Sequence, residues 1–154
     1  NTSPLDLAAR LSILEYEGQI LCASVNHWDL HRAKLVGKEL RDSDYGGTSH
    51  AGEYETSLYL ALKPELVEMD KAVDERSPMS ASFRTDLLAG THPDGSGARL
   101  VPYWSQQTAS GVMGDATKAT IAKGEKFLTA ATEGLIELIL ELKNQPILPR
   151  RDQH

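Results

Sequence analysis

The sequence predicts an α/β protein, a three-layer unit with helices packed on a largely parallel sheet. Three observations carry that prediction. Residues 4–17 show helical apolar spacing and run almost directly into a short apolar stretch, 19–25. Helix followed quickly by apolar strand is the alternation of α/β layers. Two later segments, 55–62 and 116–143, also read as helices, and apolar faces on all three need a sheet to cover.

The first helix is marked at its start by Ser3-Pro4. Ser3 can cap, Pro4 suits the first helical position, and Asp6 sits in the first turn. Leu7, Leu11 and Leu14 form one stripe, and Gly18 suits the terminus. Residues 19–25 read as a buried strand holding Cys22 as a buried structural thiol. Asn26-His-Trp-Asp29 follows, at the strand end where open α/β sheets hold ligands. Trp28 there is a candidate substrate-binding aromatic or a cover for the sheet edge, and His27 reads as solvated. Residues 29–41 are rich in Lys and Arg and read as a solvated face with some helical periodicity.

Farther along, 91–97 is a loop signal with His92 exposed. Residues 99–105 have extended character, and Pro102 makes them an edge strand or a loop. Trp104 either walls a substrate pocket or packs in the core. Gly111-Val-Met-Gly114 is a tight loop, and Asp115 can cap the helix at 116–143. Asn144-Gln-Pro146 ends that helix, and 147–154 is a basic tail.

At 154 residues the chain is one domain or part of one. A net charge of −6, spread along the chain, argues against a nucleic-acid surface. The apolar runs are broken by charges well short of a membrane span. A single cysteine excludes an internal disulfide and fits a reducing cytoplasm.

The stretch around which the chain is organised is His50-Ala-Gly-Glu-Tyr-Glu-Thr-Ser57. Gly46 and Gly47 precede it, and the helix it opens is stopped by Lys63-Pro64. His50, Glu53 and Glu55 make an oxygen-rich site suited to a divalent cation, or a solvated helix cap. Downstream lie Ser110-Gly-Val-Met-Gly-Asp115, Ala119-Thr and Lys123-Gly-Glu125.

These two motifs, with the Pro64-Glu-Leu-Val67 turn, closely resemble the creatininase (creatinine amidohydrolase) family in order and separation. The resemblance implies a creatininase-like fold and a metal-dependent amidohydrolase. Such an enzyme opens a C–N bond of a small cyclic amide with a metal-activated water. It implies two divalent metal ions (Zn, Mn or Fe), with Glu55, Glu53 and His50 as metal ligands. Glu55 and His50 are then the catalytic residues, and Trp104 and Trp28 bind the small-molecule substrate. Relatives that act on a cyclic ketone or a short modified peptide leave those substrates open, as does a non-catalytic structural subunit of the same fold.

The departures concern what precedes Asn1. Family members carry an earlier Glu-x-His segment, an aspartate and a Gly-His-Gly-Gly-Asn segment; only the last asparagine of these has a counterpart, in Asn1-Thr-Ser-Pro. Ala116 also stands where the family usually has proline. Residues 1–154 are therefore expected to be the C-terminal part of a single domain. A chain cut from the same precursor before Asn1, about 80–120 residues long for a domain of ordinary size, is expected to complete the sheet and the metal site. The assembled unit is expected to be a cytoplasmic homo-oligomer.

Overall fold

The computed structural model describes residues 2–96, 98, 100–149 and 151. Four helices dominate: α1 (Thr2–Glu15), α2 (His31–Leu40), α3 (Glu53–Leu62) and α4 (Ile121–Asn144). Between them run four two-residue strands: β1 (Asp74–Glu75), β2 (Thr85–Asp86), β3 (Gly90–Thr91) and β4 (Gly114–Asp115). Helix α4 is the spine, with α3 and α2 packed along it. Tyr54, Leu88 and Phe127 form the buried centre, and Trp28, Val36, Leu40, Leu58 and Leu87 close around them.

Helix α3 begins two residues before the expected start at 55. Gly52 caps it in an extended conformation, and the Glu53 N–H donates to the Gly47 carbonyl at 3.0 Å. It ends at Lys63, where Pro64 bars another turn. The expected continuous helix at 116–143 is broken near its start. Residues Ala116–Lys118 form a 3-10 turn capped by Asp115, which accepts from the Thr117 N–H. The Thr120 N–H is then taken by Ser57 Oγ at 3.1 Å, and the Thr120 side chain caps α4 by accepting from the Lys123 N–H. Ser57 is thus a fully buried joint between α3 and α4.

Two expectations about the sheet are corrected. No parallel ladder exists among the described residues; β1 pairs with β4 and β2 with β3, both antiparallel. Residues 19–25, expected as a buried strand, form no ladder. A strand needs a neighbour for its backbone groups, and none of the described residues supplies one here. Cys22 is consequently exposed rather than buried.

The first helix forms, and its stripe of Leu7, Leu11 and Leu14 stays more than half exposed. Gly18 closes it in the left-handed region, donating to the Ile13 carbonyl at 2.8 Å. Helix α4 is apolar on two sides. Gly124, Phe127, Ala130 and Gly134 face inward, while Leu128, Leu135, Ile139 and Leu140 lie open.

The basic stretch 29–41 contains α2, with His31 exposed as expected. His92 is only partly exposed, edge-on to Tyr45 at 4.7 Å. The Pro102 region is loop ending in the 3-10 turn Trp104–Gln106, the loop alternative of the two expected. Expectations at Asn1, Gly97, Arg99, Arg150 and 152–154 lie outside the described residues.

The α3–α4 contact is close enough to test. A Cβ on Gly124 would lie 1.8 Å from the Ser57 carbonyl oxygen, whereas one on Gly90, at φ +77°, would meet nothing. Gly124→Ala should lower unfolding free energy in denaturant by about 3 kcal/mol through overpacking. Gly90→Ala should cost only the conformational strain, about 1 kcal/mol. Equal costs would contradict this account of the packing.

Candidate functional site

The two sequence motifs meet through main-chain atoms. The Gly47 carbonyl accepts from the Glu53 N–H at 3.0 Å and from the Asp115 N–H at 2.9 Å. The Met113 N–H donates to the His50 carbonyl at 2.8 Å. A Cβ on Gly114 would stand 2.6 Å from the Gly52 Cα, so the two chains touch where only glycines fit. Beneath the loop, the buried Asp86 carboxylate accepts from Arg41, Thr48 and the Gly46, Leu88 and Ala89 N–H groups. Burial alone would raise its pKa; these donors outweigh burial and hold it low.

The three expected ligands separate. Glu53 and Glu55 lie two residues apart in the first turn of α3, and side chains at that spacing diverge. Glu53 is fully buried, and its carboxylate accepts from the Asp42 N–H at 2.8 Å, the Ser43 N–H at 2.9 Å and Lys123 Nζ. Lys123 is itself saturated, donating also to Asp42 at 2.6 Å and to the Lys118 carbonyl at 2.9 Å. Burial would raise the Glu53 pKa, but the Lys123 and loop hydrogen bonds prevail and keep it below the usual carboxylate range.

Glu55 is partly exposed. Its Oε2 accepts from the Ala51 N–H at 2.8 Å, a capping arrangement at the third helical position. Ala51 sits at φ +51°, a conformation rare for a residue with a Cβ. Glu55 pairs with no described cation. It lines a cleft of about 350 Å³ shared with Ala51, Tyr59, Met69, Ser110 and Val112. Glu75 braces the far wall by accepting from the Ala109 and Ser110 N–H groups and the Ser110 hydroxyl, which hold its pKa at about 2.

His50 is exposed and outside that lining, its ring edge-on to Trp104 at 5.0 Å. Trp104, 42% exposed, lies at the surface rather than in the core, outside the lining of that cleft. Among the described residues no three His, Cys, Asp or Glu side chains converge as metal ligands. Trp28 is part-buried against the core. His27 lies edge-on to Trp28 at 4.8 Å and stacks on Tyr54, with its Nδ1 3.3 Å from the Tyr54 hydroxyl. Burial lowers its pKa; the charges of Glu55 and Asp29 pull the other way without reversing the shift. The Tyr54 phenol is pushed up to about 12 by burial and by Glu55. A second cleft, about 360 Å³ between α2 and α4, shares only Glu125 with the two motifs.

The family model described as creatinine amidohydrolase (creatininase) matches residues 1–139. The chain belongs to the creatininase family. It is 29% identical over 141 residues to a creatinine amidohydrolase of Pseudomonas putida, which covers 89% of this chain and 48% of that protein. Among solved structures it resembles a putative creatinine amidohydrolase from Bacteroides fragilis with a TM-score of 0.66 and 25% identity, over 92% of this chain and 50% of the other. A structure described as "Creatininase Mn" gives 0.60 and 26%, over 91% and 50%. A variant creatininase of "Zn-Zn type" gives 0.58 and 27%, again over 91% and 50%. The chain thus spans about half the length of the creatininases it matches.

Sequence reasoning missed Lys123 as the partner of Glu53 and Asp86 as the anchor of the loop. Lys123-Gly-Glu125 was visible as a family motif, and its lysine is the residue that neutralises a buried carboxylate. The placement of Asp86 had no local signal.

The Glu53–Lys123 pair predicts an acid dependence. Because folding lowers the Glu53 pKa, its contribution is complete above the unfolded value of about 4.3 and is lost as pH falls through the folded value. Glu53→Gln should cost about 3 kcal/mol at pH 7 by leaving Lys123 underpartnered. Stability measured between pH 5 and 2 should fall less steeply in Glu53→Gln than in wild type.

Proposed function

We propose that this chain is the C-terminal part of a metal-dependent amidohydrolase that hydrolyses the C–N bond of a small cyclic amide. The observation that carries the proposal is Glu55, a carboxylate with no described cation partner, set in the first turn of a helix inside the family motif and facing a cleft. Membership of the creatininase family supports the reaction class, and the manganese and zinc–zinc forms of similar structures support divalent cations.

The described residues fit such a site only in part. Glu55 keeps Oε1 for a cation while Oε2 holds the Ala51 N–H. Glu53 is engaged with Lys123 and would have to give up that partner to ligate. His50 stands next in line, at the other end of the same loop and against Trp104. Two bound ions, Zn, Mn or Fe, would supply polarisation of the scissile carbonyl and activation of the attacking water. Within that scheme Glu55 anchors, His50 moves a proton at its exposed ring, and Trp28 and Trp104 flank the substrate.

The remaining ligands and the central sheet are assigned to the N-terminal half of a family-length protein, as a preceding segment or as a bound chain of the same precursor. Supporting this are the open faces of α1 and α4, the unpaired stretch 19–25 and the half-length match. Unpaired strand edges and large apolar faces call for a cover. The basis for placing the unit in the cytoplasm is its single cysteine, and no described helix is long and apolar enough to cross a membrane. Assembly into a homo-oligomer is part of the same proposal.

Glu55→Gln keeps size and removes charge. In natively purified protein it should reduce bound metal and turnover of creatinine by about a hundredfold or more, with folding retained. His92→Ala and Cys22→Ser should leave both intact. Native mass spectrometry should find the chain joined to its N-terminal half with about two divalent ions per assembled site. A metal-free assembly would instead favour a structural subunit, and wild-type metal content and turnover in Glu55→Gln would remove the assignment.

A further inference from the structure

Helix α3 presents two different faces. Tyr54 joins the buried centre, and Ser57 and Ala61 meet α4 where a Cβ on Gly124 would strike them. Glu55, Thr56 and Tyr59 turn the other way, and all three line the cleft of about 350 Å³. Side chains four residues apart on a helix are neighbours, with about 5–6 Å between their Cβ atoms. Glu55 and Tyr59 therefore address one ligand-sized space from the same wall. A space of that volume suits a small molecule.

Most polar groups of the lining are already engaged. The Thr56 hydroxyl donates to the Ala51 carbonyl at 2.9 Å, the Ser110 hydroxyl donates to Glu75, and Lys71 donates to Glu68 at 2.7 Å. The Tyr59 hydroxyl has no partner among the described residues, and Tyr59 is 57% exposed. Met69 and Val112 add apolar wall to the same cleft. Small-molecule sites combine apolar lining with a few polar groups that fix orientation. The free Tyr59 hydroxyl and the free Glu55 Oε1 are such groups, one helical turn apart.

We propose that Tyr59 is a specificity-determining residue: its ring covers one face of the bound cyclic amide, and its hydroxyl hydrogen-bonds a polar atom on the ring edge away from the scissile bond. The inference rests on the amidohydrolase reading and names the side chain that selects its substrate. Glu55 holds the reacting end, and Tyr59 meets the far end of the same small molecule. A ring with no polar atom at that edge leaves the phenol unpaired and is disfavoured. Tyr59 is no part of the buried centre, so its replacement leaves the frame standing.

The test uses the natively assembled protein with creatinine and with 2-pyrrolidinone, a cyclic amide that lacks creatinine's guanidine-like edge. Turnover and calorimetric binding are measured for both, together with metal content and melting temperature. Tyr59→Phe keeps the ring and removes the hydroxyl. It should weaken creatinine binding about fivefold and leave 2-pyrrolidinone within about twofold of wild type. Tyr59→Ala should weaken both, creatinine by about tenfold or more. Its loss should fall on KM more than on kcat, with metal content and melting temperature unchanged. Wild-type KM and binding for both probes in Tyr59→Ala, with active wild-type protein, overturn the Tyr59 assignment and leave the amidohydrolase reading standing. Equal effects of Tyr59→Phe on the two probes overturn the selective hydrogen bond. A Tyr59→Ala protein that melts lower, or that loses metal or its N-terminal half in native mass spectrometry, assigns Tyr59 to assembly and overturns the proposal too. Wild-type protein that neither binds nor turns over either probe overturns the cyclic-amide reading, and this inference with it.

Discussion

The Gly47 carbonyl is the point on which the rest of the arrangement depends. It receives two N–H groups, from Glu53 and Asp115, that are far apart in sequence. One opens α3 and the other closes β4. Sharing a single acceptor forces the two backbones together, and Gly52 against Gly114 is the contact that results. The Asp86 carboxylate holds the same loop from below through the Gly46 N–H and Thr48. A buried carboxylate is tolerated there because Arg41 and four other donors replace its water. Loop 46–52 is therefore irregular in shape yet held on both sides, a sound base for a side chain that must face a cleft.

The helices were legible because their signals are local. Pro64 and Pro146 stop α3 and α4, Gly18 closes α1, and the three-and-four spacing of α4 is visible by eye. The buried face of α4 was not. Its conspicuous leucines, Leu128 and Leu135, lie open, while Gly124, Phe127 and Ala130 make the contact. Small residues permit close approach but leave little trace in a hydrophobicity pattern. Residues 19–25 mislead for the opposite reason. Their composition suits a strand, but pairing is a property of two segments, and the second is not among those described.

The candidate site divides the same way. Glu55 and His50 were recognised from a motif, and Glu55 does face a cleft. Placing Glu53 beside it depended on a helix starting at 55, with a flexible loop before it. Once α3 starts at Glu53, helical geometry turns the two carboxylates apart, and Lys123 claims the buried one. That ion pair draws its partners from Asp42, Glu53 and Lys123, positions that no single window contains. The His27–Tyr54 contact was hidden likewise, since Tyr54 looks like an ordinary core ring inside the motif.

The junction of the two motifs is made almost wholly of backbone. Its acceptors are the Gly47 and His50 carbonyls, its donors are amides, and Gly47, Gly52 and Gly114 leave no room there for a Cβ. Such a joint is indifferent to the chemistry displayed around it. Met69, Val112 and Tyr59 can be exchanged for larger, smaller or charged groups while the frame keeps its dimensions. For protein engineering this separates two tasks that usually interfere. The walls of the cleft become a library, and two glycines hold the register in which every member of that library is presented.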